Sequence, residues 1–148
     1  MPAIVICLIF FTALMLSASH ITHAEPAKNA ATLPQHLYQL SKFINWPNYP
    51  NNNSPIELCL FPSTPQQEDW QKINLKRSQG REIRIKHIEG ENDLPTCTIL
   101  FSHAGIPNSF IQKNYYTLVS NSVLSVGERK NFANDGGIIE LAITSENI

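Results

Sequence analysis

The first feature of this 148-residue sequence is the charge that its beginning lacks. No Lys, Arg, Asp or Glu occurs from Met1 to Ala24, and residues 4–16 are almost continuously apolar. Small and weakly polar residues follow, with Thr22 and Ala24 at the positions that a signal peptidase reads, so the layout is typical of a secretory signal peptide. A membrane anchor is the alternative, but a spanning helix needs about 20 apolar residues, and polar residues from Ser17 onwards shorten this run. We therefore predict a signal peptide over residues 1–24 and an exported domain over residues 25–148.

A strong excess of charge of either sign is also missing. The formal net charge is −1, which argues against a general nucleic-acid-binding or anionic-membrane-binding surface. The most basic stretch spans residues 76–86, is interrupted by Glu82 and contains no aromatic residue. It includes Lys76, Arg77, Arg81, Arg84 and Lys86. We interpret it as a solvated strand face, because charge runs of this kind usually are.

Cysteine is scarce, with three residues in the chain. Cys7 lies in the predicted signal peptide, which leaves Cys59 and Cys97 in the exported part. A disulfide between them is one interpretation, because disulfides form and persist in exported proteins. Two buried free thiols and a metal site are the others, although the spacing contains no CxxC unit and no nearby histidine.

The common catalytic motifs are absent. The chain contains no GxGxxG, Walker loop, GxSxG or HExxH sequence. Three histidines follow the predicted signal peptide: His36, His87 and His103. Ser102 and His103 are adjacent in sequence, which does not place a base on a nucleophile, and the acidic cluster 89–93 contains the loop-forming Gly90 and Asn92. The residues thus predict no catalytic site, no cofactor and no metal site.

The first half of the chain predicts a helix, a strand, a helix and a strand. Leu33, Leu37, Leu40 and Ile44 recur at helical spacing, Thr32 can cap, and Trp46 before Pro47 favours an end near Asn45. Three further elements are predicted from short patterns: a strand over Ile56–Phe61, a helix started by Thr64, Pro65 and Gln67, and a half-exposed strand over Arg81–Ile88. Trp46 is interpreted as a packing anchor that docks the first helix on the sheet.

The second half continues the alternation. Strands are predicted over Cys97–Phe101, Val123–Val126 and Ile138–Ile143. A helical stretch begins near Ile106, with Phe110, Ile111, Tyr115 and Leu118 at helical spacing, although its YYTLV segment also suits a strand. Strands alternating with helices predict an α/β layered sandwich with a mainly parallel sheet flanked by helices.

Several segments, taken together and in order, resemble the YfiR-like family of small periplasmic proteins. They are LYQLSKFINWP, IELCLF, GREIRIKHI, LPTCTILFSHA and VLSVGERKNFANDGGIIELAI. The resemblance extends from about Gln35 to the last residue. It implies that Cys59 and Cys97 are disulfide-bonded, as the corresponding family cysteines are taken to be. The family pattern normally continues with one more strand and a final helix, so we expect this sequence to lack both.

The resemblance also implies a regulatory function without catalysis. Family members resemble a periplasmic inhibitor that binds the sensor domain of a membrane-bound diguanylate cyclase and lowers cyclic-di-GMP and biofilm formation. The expected partner is therefore such a cyclase, and homodimerisation is left open. The alternative is a small periplasmic ligand-binding protein or enzyme that uses the loops at the strand ends, where open α/β sheets usually bind ligands.

An inhibitor without catalytic groups acts through its surface, and the segment from Gly127 to Gly137 is the predicted binding loop. Arg129, Lys130 and Phe132 are its candidate partner-binding residues, because arginine and aromatic side chains dominate binding energy at interfaces. In the alternative interpretation, Phe132 folds back into the core and the loop merely reverses the chain.

Overall fold

A computed structural model describes residues 32–46 and 54–142 of the chain. The predicted signal peptide and the chain end after residue 142 lie outside the described residues. The described residues form three α-helices, one 3₁₀ helix over Glu91–Thr96 and six strands. The α-helices are α1 (Leu33–Ser41), α2 (Gln67–Gln71) and α3 (Asn108–Ser120), and the strands are β1 (Ile56–Leu60), β2 (Arg77–Ser78), β3 (Arg81–His87), β4 (Ile99–Ser102), β5 (Leu124–Gly127) and β6 (Ile139–Glu140).

The described strands form one sheet in the order β2-β3-β1-β4-β5-β6. All neighbouring strands are parallel except for the short edge pair β2 and β3, which is antiparallel. Without β2 this is the doubly wound order in which the direction of strand addition reverses between β1 and β4. The predicted α/β sandwich with a mainly parallel sheet is confirmed.

Each face of the sheet carries its own hydrophobic cluster, because successive side chains of a strand point to opposite faces. In β1, Leu58 and Leu60 belong to the cluster beneath α1 and α2, whereas Cys59 belongs to the cluster beneath α3 and the 3₁₀ helix. We call these the α1/α2 face and the α3 face. Four of the five β1 residues are buried, as the predicted doubly covered strand requires.

The first helix ends at Ser41, four residues before the predicted end. Ser41 Oγ donates a hydrogen bond to the carbonyl oxygen of Tyr38, at 2.7 Å. Gln79 Nε2 then donates to the carbonyl oxygens of Lys42 and Ile44, at 2.8 and 2.7 Å. Because a side chain from the β2–β3 turn accounts for these two carbonyls, the backbone leaves the helix there. Trp46 packs against the α1/α2 cluster, which confirms its predicted anchoring role.

The second helix begins at Gln67, so the prediction that Thr64 caps it was wrong. Gln66 occupies the N-cap position with a left-handed φ of 58°. Trp70 Nε1 donates a hydrogen bond to the carbonyl oxygen of Pro65, at 3.2 Å, and Gln67 Nε2 donates to that of Thr64, at 2.6 Å. These two bonds hold residues 64 and 65 outside the helix, while Trp70 is buried as predicted.

The basic stretch is only partly a solvated face. Arg84 and Arg77 are exposed, but Arg81 is 5 % exposed, and its guanidinium donates to the carbonyl oxygens of Ser54 and Pro55 at 2.6 and 3.0 Å. Arg81 therefore ties the start of β3 to the entry of β1. The sequence did not predict the two-residue strand β2. This strand pairs with β3 and so covers the sheet edge that β3 would otherwise expose.

The helix predicted to begin near Ile106 begins at Asn108, after a turn over residues 103–107, and it includes all of YYTLV. Within α3 the buried positions are Ile111, Asn114 and Leu118. Tyr115, which we predicted among the apolar face residues, is 44 % exposed, because the contact stripe of this helix is narrower than its apolar pattern. No helix within residues 32–46 and 54–142 has the length and apolarity that crossing a bilayer requires.

Candidate partner-binding surface

Phe132 lies in the loop between β5 and β6, residues 128–138, which we call the β5–β6 loop. Its side chain is 0 % exposed and belongs to the α3-face cluster. The ring fits between Gly127 and Gly137, where a Cβ atom on either glycine would clash with it. The exposed position predicted for Phe132 is therefore wrong, and the alternative of a ring folded into the core is the structure observed. The ring can be buried because Gly127 and Gly137 have no side chains, although the neighbouring residues of the loop are polar.

The β5–β6 loop is fastened to α3 by the carboxylate of Asp135. Asn108 Nδ2 donates to Asp135 Oδ2 at 2.6 Å, and Gln112 Nε2 donates to Oδ1 at 3.1 Å. Asn108 Nδ2 also donates to the carbonyl oxygen of Lys130, at 3.2 Å. Gly136 adopts a positive φ, at +99°, and so allows the turn that returns the chain to β6. The loop is therefore a defined structure that is anchored to α3.

The two predicted cations remain on the outside of this fastened loop. Arg129 and Lys130 are both exposed, and within the described residues neither side chain forms a hydrogen bond or an ion pair. Some exposed cations form ion pairs, with Lys113 2.9 Å from Glu91 and Arg84 2.8 Å from Glu82, and Lys42 and Lys76 lie over the ring of Tyr38 instead. Arg129 and Lys130 are thus available to an acidic group on another molecule.

Beside the loop, α3 presents an aromatic and aliphatic stripe to the outside. Tyr116 is 85 % exposed and Val119 is 54 % exposed, and the rings of Tyr115 and Tyr116 pack edge to face at 5.6 Å. Tyr115 also lies next to Gly136 of the loop, so the stripe and the loop are continuous. Tyr115 was predicted only as part of the helical apolar spacing, and Tyr116 was not singled out from the sequence. The signal was available, because residues 112, 115, 116 and 119 share one helix face. We call the stripe Tyr115, Tyr116 and Val119, together with Arg129 and Lys130, the outer α3 surface.

A disulfide lies in the hydrophobic cluster beneath α3. Cys59 and Cys97 are bonded, with their Cα atoms 5.7 Å apart, and both belong to the α3-face cluster. Of the three alternatives left open by the residues, the bridge is the one observed, in agreement with the family resemblance. It joins β1 to the end of the 3₁₀ helix, two residues before β4, and so connects two neighbouring strands of the sheet.

A serine and a histidine that are 40 residues apart meet where the strand order reverses. Ser63 follows β1, His103 follows β4, and Ser63 Oγ lies 2.8 Å from His103 Nε2. Gly105 N–H donates to His103 Nδ1 at 3.0 Å, so we assign the proton of the neutral ring to Nε2. His103 then donates to Ser63, whereas a general base must accept the serine proton. This pair was not predicted from the sequence, where only Ser102, the neighbour of His103, was considered as its partner.

The remaining electrostatic features are surface ion pairs. A hydrogen bond and the charge of Glu82 raise the pKa of Arg84, and Asp69 raises the pKa of Lys72 in the same two ways. Neither pair belongs to the outer α3 surface. Among residues 32–46 and 54–142 there is no group of three or more His, Cys, Asp or Glu side chains that could hold a metal ion.

Comparison with known proteins gives one match. A family model described as YfiR/HmsC-like matches residues 33–148, most of the chain and every helix and strand described above. That family is known for the periplasmic regulation of diguanylate cyclases. Neither the comparison with curated proteins nor that with solved structures returned a match.

Proposed function

Because the chain belongs to the YfiR/HmsC-like family, we propose that it is a periplasmic regulator that binds the sensor domain of a membrane-bound diguanylate cyclase. By inhibiting that cyclase it lowers cyclic-di-GMP and biofilm formation, and it does so without catalysing a reaction. The observation that carries this proposal is the family match over residues 33–148. The Ser63–His103 geometry adds support, because a histidine that donates to the serine does not activate it.

The outer α3 surface is the proposed contact with the sensor domain. It combines an 85 % exposed tyrosine with two cations that have no ion pair among the described residues, on a loop that is fastened to the same helix. Tyrosine and arginine are enriched among the residues that dominate binding energy. The charges of Arg129 and Lys130 fit an acidic rim on the partner, which would steer association and depend on salt. Phe132 contributes only indirectly, because its buried ring holds the loop in place.

The location of the protein follows from the same proposal. Residues 1–24 direct export and are removed, and the domain acts in the periplasm, where the Cys59–Cys97 disulfide is stable. N-terminal sequencing of the exported protein should return Glu25 as the first residue. An exported protein that retains Met1 would contradict this part of the proposal alone.

The test of the function uses a strain in which the gene is deleted. Deletion should raise cyclic-di-GMP, and the wild-type gene supplied in trans should lower it again. Tyr116→Ala and the double variant Arg129→Ala, Lys130→Ala should fail to restore the low level. Each should also recover at least about tenfold less cyclase by affinity purification from membranes, the loss expected when an interface hot spot is truncated.

The matched control is Phe43→Ala. Phe43 is also 85 % exposed and aromatic, but it follows α1 and lies outside the outer α3 surface. This variant should behave like the wild type. If deletion leaves cyclic-di-GMP unchanged, the proposed function is wrong; if deletion raises it but the surface variants complement fully, the function stands and the interface lies elsewhere.

A further inference from the structure

A cleft of about 600 Å³ opens on the α1/α2 face, and none of its lining residues belongs to the outer α3 surface. Its apolar wall and floor come from four residues that belong to the α1/α2 cluster or pack against it: Leu33, Trp70, Phe101 and Leu141. Glu128 and Glu140 also line it, just after β5 and at the end of β6. The cleft thus sits at the carboxyl ends of parallel strands, where α/β sheets commonly bind ligands.

Each of the two carboxylates accepts a hydrogen bond from a backbone N–H group. Glu128 Oε1 accepts a hydrogen bond from the Ala104 N–H at 2.8 Å, and Glu140 Oε2 accepts one from the Ala133 N–H at 3.3 Å. Within the described residues, the second oxygen of each carboxylate has no hydrogen-bond partner. His36 also lines the cleft, but none of the described lining residues is Lys or Arg, so no permanent positive charge faces the two carboxylates there.

We propose that this cleft binds a small organic monocation, in which an amine or quaternary ammonium group is attached to an apolar body. The apolar part would lie against the wall formed by Leu33 and Leu141, and the cationic group would meet the free oxygens of Glu128 and Glu140. Concave, mainly apolar pockets with a few oriented polar groups are the usual form of small-molecule sites. An anion of the same shape would face two carboxylates. This binding activity goes beyond the proposed regulatory function and does not depend on it.

Two probes that share one apolar body test the charge requirement on the unaltered protein. Isothermal titration with 4-phenylbutylamine should give saturable binding at one site. Titration with 4-phenylbutyrate should give binding at least about tenfold weaker, since tenfold corresponds to 1.4 kcal/mol, a modest value for a charge-assisted contact. Equal binding of the two probes, or no binding of the amine, would overturn the proposal.

Variants then locate the site. Glu140→Gln should weaken amine binding about tenfold, and the double variant with Glu128→Gln should abolish it. The control is Glu89→Gln, which removes an exposed carboxylate that does not line the cleft and should leave the affinity unchanged. Unchanged affinity in Glu140→Gln, or an equal loss in Glu89→Gln, would contradict the assignment.

An amide readout covers the case in which the double variant does not fold. In the wild-type protein, the amine should shift the NMR resonances of the Ala104 and Ala133 N–H groups, because both donate to the carboxylates that the cation approaches. The NMR resonance of the Asp93 N–H group, which lies in the 3₁₀ helix, should not shift. Amine binding that leaves the resonances of Ala104 and Ala133 unmoved would place the ligand elsewhere and overturn the proposal.

Discussion

The two faces of the sheet are held to their helices in different ways. On the α1/α2 face, Trp70 and Leu37 pack into a cluster of aliphatic strand residues and Phe101 without a covalent link. On the α3 face, packing is supplemented by the Cys59–Cys97 disulfide and by a ring enclosed between two glycines. The difference is that the α3 face contains a covalent link between two strand segments and an enclosed ring, whereas the α1/α2 face combines apolar packing with hydrogen bonds at the end of α1.

The reason for this difference lies in α3 itself. This helix has 13 residues, and three of them are buried, one of which is the polar Asn114. In α1, three of nine residues are buried, so a smaller share of α3 contributes hydrophobic stabilisation, at about 25 cal/mol per Å² of apolar surface removed from water. The disulfide and Phe132 compensate by fixing the neighbouring segments. The helix can therefore leave Tyr116 and Val119 outside without losing its position, which a partner-binding surface requires.

The largest loss of stability is expected when the aromatic ring buried in the α3 face is removed. Phe132→Ala removes a fully buried ring and should lower the free energy of unfolding by about 3 to 5 kcal/mol, the range measured for such truncations in cores. Urea unfolding followed by circular dichroism measures the change. Phe43→Ala removes the same ring from an 85 % exposed position and should change stability by less than about 0.5 kcal/mol. Equal stability of the two variants would show that the ring is not a core element.

The second prediction concerns removal of the Cys59–Cys97 disulfide. Cys59→Ala should lower the free energy of unfolding by about 2 to 5 kcal/mol, mainly because the unfolded chain loses its cross-link. The bridge spans 38 residues, and the chain-entropy argument assigns such a loop about 4 kcal/mol. Urea titrations with and without reductant check this directly. Reductant should destabilise the wild type and leave Cys59→Ala unaffected, whereas a wild type insensitive to reductant would contradict the prediction.

The third prediction concerns a substitution that adds a methyl group to the space that Phe132 occupies. Gly127→Ala places a methyl group against the ring and should cost about 1 to 3 kcal/mol of stability through overpacking. Gly90→Ala is the matched control, because nothing lies within 4 Å of its added methyl group, and its φ of −178° suits any residue. Thermal unfolding should separate the two variants. If both melt alike, the enclosure of the ring by glycines does not matter energetically.

The sequence predicted the sheet far better than the surface. Apolar runs such as IELCLF and CTILF identified buried strands because a strand covered on both faces needs no partner information. The position of Phe132 was not decidable in this way, since a ring beside Arg129 and Asn131 looks exposed until Gly127 and Gly137 are seen to enclose it. The Ser63–His103 contact likewise joins residues 40 positions apart, and only the pairing of β1 with β4 brings them together.

The smallest expected effect concerns that contact, which lies between the two faces. Ser63→Ala removes the acceptor of the His103 Nε2 proton, and a typical hydrogen bond contributes about 0.5 to 1.5 kcal/mol to stability. Ser63 is exposed, so water can replace its hydroxyl, and we expect the low end of this range. Ring ¹⁵N shifts of His103 give the sharper measurement. Because Gly105 N–H occupies Nδ1, the neutral ring should carry its proton on Nε2 in the wild type and in Ser63→Ala alike. A ring protonated on Nδ1 instead would reverse the direction of the bond, and His103 would then be able to act as a base toward Ser63.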